Sequence, residues 1–186
     1  MWKQLARLLT AWRGKKRAPP LAELPVWARV GKGRRAHIRR VVTLLEGWAD
    51  EMDASPQERD RWFRAAWLHD ALRDAPLPGA KTHGAAAADR ASKYGETDRG
   101  VLDAVRYHSV GYAGWDDVGR MLFLADYLEP GRIGRRKQRD KLAQRVPHDR
   151  DRVLQEVVAL QMRTRLRTGR PIHPLTLEFW NSLTWR

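Results

Sequence analysis

The chain has 186 residues, enough for one domain with a sizeable core that needs no covalent staples. It contains no cysteine, which excludes disulfides and thiolate metal sites, so any metal must rest on imidazole and carboxylate. Its 36 Lys and Arg against 22 Asp and Glu leave a formal net charge of +14, a field that attracts nucleotides, nucleic acid or an anionic lipid surface.

Residues 1–24 read as a basic amphipathic extension and linker, and residues 25–186 as the folded domain. Trp2, Leu5, Leu8, Leu9 and Trp12 recur at helical spacing with Lys and Arg among them. The segment lacks the uninterrupted apolar core and small-residue cleavage site of a signal peptide. It suits docking on the chain's own domain, or contact with RNA or an anionic membrane. Pro19 and Pro20 lie in the linker that follows. No apolar run approaches the ~20 residues of a membrane span. The absence of cysteine fits a cytoplasmic location.

From His37 onward the pattern is helical. Val41, Leu44, Leu45, Trp48 and Met52 form one stripe, and His37 lies at its end, where an imidazole needs a partner. Ser55-Pro56-Gln57-Glu58 combines an N-cap, a first-position proline and a capping-box glutamate. The helix it opens runs through Phe63 and Trp67 to His69-Asp70. Pro76, Pro78 and Gly79 turn the chain, and His83 enters the next helix, whose alanine run permits close packing. Gly95 marks a further turn, and Thr97 can cap a helix that buries Val101, Leu102 and Val105 and ends at His108.

Val118, Met121, Leu122 and Ala125 make another stripe, with Asp126 at its edge before Pro130-Gly131 stops the helix. Residues 131–141 are strongly basic and read as a solvated loop. A long helix carries Val153, Leu154, Val157, Val158, Leu160 and Met162 to Gly169, and residues 174–183 form a last short one. No alternating strand pattern occurs. The expected fold class is all-α, a helical bundle.

A lone histidine on an apolar face is usually a hydrogen-bonded core residue, and a lone aspartate a cap or half an ion pair. Here His37, His69, Asp70, His83, His108 and Asp126 all stand at predicted helix ends, and Asp70 closes an apolar, aromatic run. A buried carboxylate is costly unless something positive neutralises it, and a metal ion would do so. His148, in a polar loop beside Pro147, and His173, between two prolines, lack that setting.

His37, His69-Asp70 and Asp126 match the H…HD…D pattern of HD-domain phosphohydrolases, an all-helical family. Thr82-His83-Gly84, Arg106-Tyr107-His108-Ser109-Val110-Gly111, the segment from Phe123 to Arg132 that contains Leu124-Ala125-Asp126-Tyr127-Leu128-Glu129-Pro130, and Ile172-His173-Pro174-Leu175-Thr176 resemble the extended motifs of the bacterial YqeK-like proteins. The resemblance covers roughly residues 36–181. It implies a symmetrical diadenosine tetraphosphate hydrolase with two divalent metal ions, commonly iron, with manganese, cobalt, nickel and zinc also suited to such ligands. It further implies that His37, His69, Asp70 and Asp126 hold one metal, and that Asp70 bridges to a second held by His83 and His108. Water between the metals would be the nucleophile, and Asp70 counts as catalytic through its bridging role.

Arg73 stands where the family usually has lysine and could clamp a phosphate, and Asp74 could orient the water. Arg73, Arg106, Ser109, Gly111 and Arg132 are the substrate-binding candidates for a dinucleoside polyphosphate. Two other readings stay open: an HD phosphohydrolase acting on another nucleotide or an RNA end, and a basic RNA- or ribosome-binding module with a structural metal.

Overall fold

A computed structural model describes residues 23–77, 79 and 82–184 of the chain. All but the last two residues of the amino-terminal extension lie outside that range, and with them the apolar and basic side chains that defined it. Among the described residues there are seven helices and no strand: α1 (Lys32–Glu51), α2 (Pro56–Leu68), α3 (His83–Lys93), α4 (Arg99–Tyr107), α5 (Asp117–Leu128), α6 (Arg136–Arg167) and α7 (Pro174–Thr184). The expected all-α architecture is therefore the observed one. None of these helices is long and apolar enough to cross a membrane.

The bundle is built around α5. The sequence suggested one apolar stripe, but Phe123 and Leu124 are buried along with Val118, Met121, Leu122, Ala125 and Leu128. A helix apolar over most of its surface belongs largely inside, and α5 packs against α1, α2, α4 and α6. The stripe of α1 is also realised, with Val41, Leu45 and Trp48 buried. The Trp48 indole N–H donates to the Ala143 carbonyl at 2.9 Å and so ties α1 to α6. Trp115, Phe123 and Phe179 meet with ring centroids 5.1–5.7 Å apart and seat α7 on the bundle.

Local signals set most boundaries. Ser55 and Glu58 form the reciprocal capping box at the start of α2. Thr82 caps α3. The cap of α4 is Asp98 and not the expected Thr97; its carboxylate accepts from the Val101 N–H at 3.1 Å. That carboxylate is also held by Arg61, at 2.7 Å, and Arg61 grips Asp116, the cap of α5, at 2.6 Å. One arginine of α2 thus fixes the start of two other helices.

The basic stretch 131–141 is not a solvated loop throughout. From Arg136 it is helical, and Arg139 and Leu142 are buried. They share a face with Val146, at steps of three and four. Proline hid this from the pattern. Pro147 lies inside α6, and a kink at Asp149 (φ −148°) joins its two helical stretches. His148 accordingly sits at this kink, where its Nε2 lies 3.0 Å from Glu51.

Close approach of α3 and α4 depends on Gly84. A Cβ there would lie 2.7 Å from the Val105 carbonyl oxygen and 2.9 Å from that of Arg106, rigid backbone in both cases. Gly84→Ala should therefore force the two helices apart at an overpacking cost of about 1–3 kcal/mol. Urea unfolding of the variant checks this; unchanged stability would show that the helix pair yields without strain.

Candidate metal centre

Six side chains from five helices and their ends converge at one end of the bundle. His37 lies in the second turn of α1, His69 is the C-cap of α2 and Asp70 follows it directly. His83 is the first residue of α3, His108 the C-cap of α4, and Asp126 sits in the last turn of α5. His69 is fully buried, and His37, Asp70 and His108 nearly so.

Two donor groups result. His37, His69 and Asp126 form one, and Asp70, His83 and His108 the other, with the ligand atoms of each within 4.8 Å of one another. Asp70 also reaches across between them. Its Oδ2 is 3.6 Å from the Nε2 atoms of both His37 and His69. Its Oδ1 is 3.1 Å from His83 Nε2 and 3.5 Å from His108 Nε2.

The chemistry of this donor set fits a pair of cations. His69 Nδ1 is 2.7 Å from the Ala66 carbonyl and His108 Nδ1 2.8 Å from that of Val105. His37 Nδ1 is 3.1 Å from the Glu129 carboxylate. Each Nδ1 must donate to its oxygen, which leaves the Nε2 lone pair of the neutral imidazole aimed into the site. His83 differs, since its Nδ1 faces the donor-only Arg73 guanidinium at 2.8 Å and its own proton therefore lies on Nε2, 3.0 Å from His108 Nε2. The Nε2 atoms of His37 and His69 meet at 3.3 Å. Two lone pairs at that distance repel unless a proton or a metal ion lies near both.

Electrostatics point the same way. Burial pushes the His69 pKa down to about 4, so the ring is neutral at pH 7. Burial also acts to lower His37 and His108, but hydrogen bonds to Asp126 and Glu129 in one case and Asp70 in the other outweigh it, and both are raised. Burial alone would raise the carboxylates, yet the surrounding imidazoles hold Asp70 well below the usual range, and His37 and Arg132 do so for Asp126. Glu129 is lowered to about 2 against the cost of its burial, by His37, Arg40 and the Gly131 N–H.

Above the centre opens a cleft of about 690 Å³ whose lining includes eight arginines and only two carboxylates, Asp70 and Asp126. Of the substrate-binding candidates, the structure brings Arg73, Ser109 and Arg132 to this cleft. Arg73 Nη1 is 2.8 Å from His83 Nδ1, Ser109 Oγ is 3.1 Å from His108 Nε2, and Arg132 pairs with Asp126. It does not bring Arg106 or Gly111 there. Arg106 is paired with Asp89 at 2.6 Å. Gly111 holds a turn at φ +87°, where a Cβ would strike the Phe179 ring. Asp74 accepts the Gly31 N–H at 2.8 Å and lines a neighbouring cavity of about 700 Å³.

Three residues at the site were not singled out from sequence. Glu129, 1% exposed, orients His37 and takes Arg40 at 2.5 Å and the Gly131 N–H at 2.6 Å. Arg34 Nη1 donates to Asp70 Oδ2 at 2.7 Å. Glu129 left a signal, since it follows Asp126 by three residues and ends the same apolar run. Arg34 and Arg40 left none among so many arginines.

The sequence matches the HD domain over residues 34–131, more than half of the chain. The chain belongs to the HD-domain family. No curated protein matches it in sequence. Its fold is similar to the 1.50 Å crystal structure of a predicted HD superfamily hydrolase involved in NAD metabolism from Clostridium acetobutylicum, with a TM-score of 0.68 and 20% identity over 98% of this chain and 96% of that one. The two chains thus share a fold, and the His/Asp cluster of this one includes the His69-Asp70 pair that gives the HD domain its name.

The raised pKa values of His37 and His108 make metal uptake a proton-releasing event, because a cation can bind only the neutral rings. Affinity should fall as pH drops below those raised values and climb as pH rises through them. Calorimetry of the metal-free protein in buffers of different ionisation enthalpy at about pH 6, below the raised values of both rings, should show protons leaving as metal binds. An identical heat in every buffer would contradict the assignment.

Proposed function

We propose that this HD domain hydrolyses a dinucleoside polyphosphate, splitting the four-phosphate chain of a diadenosine tetraphosphate-like substrate in the middle to give two nucleoside diphosphates. The observation that carries the reading is the pairing of two His/Asp donor groups with an arginine-lined cleft directly above them. A long chain of phosphates is the substrate class that needs both. The segments that resemble YqeK-like proteins, above all the run from Phe123 to Arg132, support the symmetrical cut.

On this reading His37, His69, Asp126 and Asp70 hold one divalent cation, and Asp70, His83 and His108 a second, iron being the expected metal. Such cations supply a water acidic enough to attack at neutral pH and neutralise charge developing on a phosphoryl group. The remaining work falls to the chain itself. Glu129 and the Ala66 and Val105 carbonyls keep three imidazoles in one tautomer and orientation. Arg73 and Arg132, at the cleft wall, hold phosphate oxygens, Arg132 after exchanging Asp126 for substrate. Ser109 beside His108 adds a hydrogen bond to the bound phosphate. Asp74, bonded to the Gly31 N–H, fixes the entry to α1 and reaches the water only through movement of that contact.

A second reading keeps the centre and changes the substrate. The fold neighbour is described as acting in NAD metabolism, and a dinucleotide with a shorter phosphate bridge would also present two nucleosides to the cleft.

Product analysis separates the two. Metal-loaded protein should convert diadenosine tetraphosphate to ADP alone, with Asp70→Asn slower by at least ~100-fold, given the share of catalysis that metal activation of water carries. AMP with ATP as products, or near-parent turnover in Asp70→Asn with metal supplied, would refute the symmetrical two-metal reading.

A further inference from the structure

Three arginines near the centre are neutralised by its carboxylates. Arg34 is paired with Asp70, Arg132 with Asp126 and Arg40 with Glu129. Arg139 is not. It is only 8% exposed, yet among the described residues no carboxylate lies within ion-pair distance of it. Its Nη2 donates to the Arg132 carbonyl at 2.5 Å, which engages one of the five N–H donors of a guanidinium. A buried charge without a counter-charge is costly, and an anion in the adjoining space would offset that cost.

The location of Arg139 says which ligand. With Arg34, Tyr127, Arg132 and Ile133 it belongs to the lining of both the cleft above the metal centre and the neighbouring cavity. It therefore stands at the waist where the two spaces meet. Arg34 and Arg132, on the same waist, face the centre through Asp70 and Asp126. An anion at Arg139 would consequently be continuous with one held at the histidines, and the planar fork of a guanidinium matches two phosphate oxygens.

We propose that Arg139 forms a second anion subsite, which receives the phosphates of the substrate chain beyond the one at the His/Asp groups. The inference rests on the polyphosphate reading above and adds the residue that measures chain length. A substrate with one phosphate would satisfy the centre and leave Arg139 unpaired; a longer chain engages both.

Replacing Arg139 has opposite signatures for a ligand-binding and a structural arginine. Arg139→Met keeps the apolar stem and removes an unpaired buried charge, so the melting temperature should hold or rise. Binding of inorganic tripolyphosphate to the full-length protein, measured by calorimetry, should weaken by about tenfold or more, the worth of a charged hydrogen-bonded contact. Arg139→Lys, which keeps the charge but loses the fork, should fall between the two. With diadenosine tetraphosphate the Met variant should raise KM more than it lowers kcat.

Tripolyphosphate binding that is absent in the parent, or equal in parent and Arg139→Met, overturns the subsite. So does a markedly lower melting temperature of Arg139→Met, which would make the guanidinium a structural post. Arg139-dependent tripolyphosphate binding in a protein that leaves diadenosine tetraphosphate intact would sink the substrate reading and leave the subsite standing.

Discussion

The carboxylate of Asp70 is the constraint on which the rest of the centre depends. It is 3% exposed and surrounded by four imidazoles, with one oxygen turned to His37 and His69 and the other to His83 and His108. A buried anion of this kind is tolerable only if positive charge is gathered on both of its sides. The bundle supplies that by ending or starting helices around it. Five of the six candidate ligands are within two residues of a helix boundary, where the chain changes direction and side chains from different elements can face one point.

Helix ends also supply the means of orientation. The last carbonyls of a helix have no partner within it. At α2 and α4 a histidine one position beyond the helix uses such a carbonyl, three residues back, to fix its own Nδ1 proton. The same local geometry thus satisfies an orphan backbone acceptor and sets a tautomer. His37 lies inside α1 and has no free carbonyl to use, and there Glu129 takes the part. That glutamate is in turn held by Arg40 and the Gly131 N–H, so α1 and the end of α5 are locked together through both His37 and Arg40.

Much of this was legible in the sequence because helix-end chemistry is local. The capping box at Ser55, the stop at Pro130-Gly131 and the stripes of α1 and α5 placed the six candidate ligands at the rim of an all-helical fold. Neighbourhood in sequence was a poorer guide to the cleft. Arg106 and Ser109 stand in one motif around His108, but the helix ends at Tyr107, so Arg106 is held on its surface by Asp89 while Ser109, beyond the C-cap, faces the cleft. Gly111 is there for its backbone conformation. Arg139 was hidden for another reason: within so basic a stretch, no sequence signal distinguishes the one arginine that the core covers. The same basic composition, together with Pro147, concealed the first half of α6.

The central claim is that two cations flank Asp70. Anomalous diffraction from crystals of metal-loaded protein, recorded at the absorption edge of the metal supplied, tests it most directly. The account predicts two peaks, one among His37, His69 and Asp126 and the other between His83 and His108, with the Asp70 carboxylate between them. A single peak, or peaks away from these side chains, would contradict it.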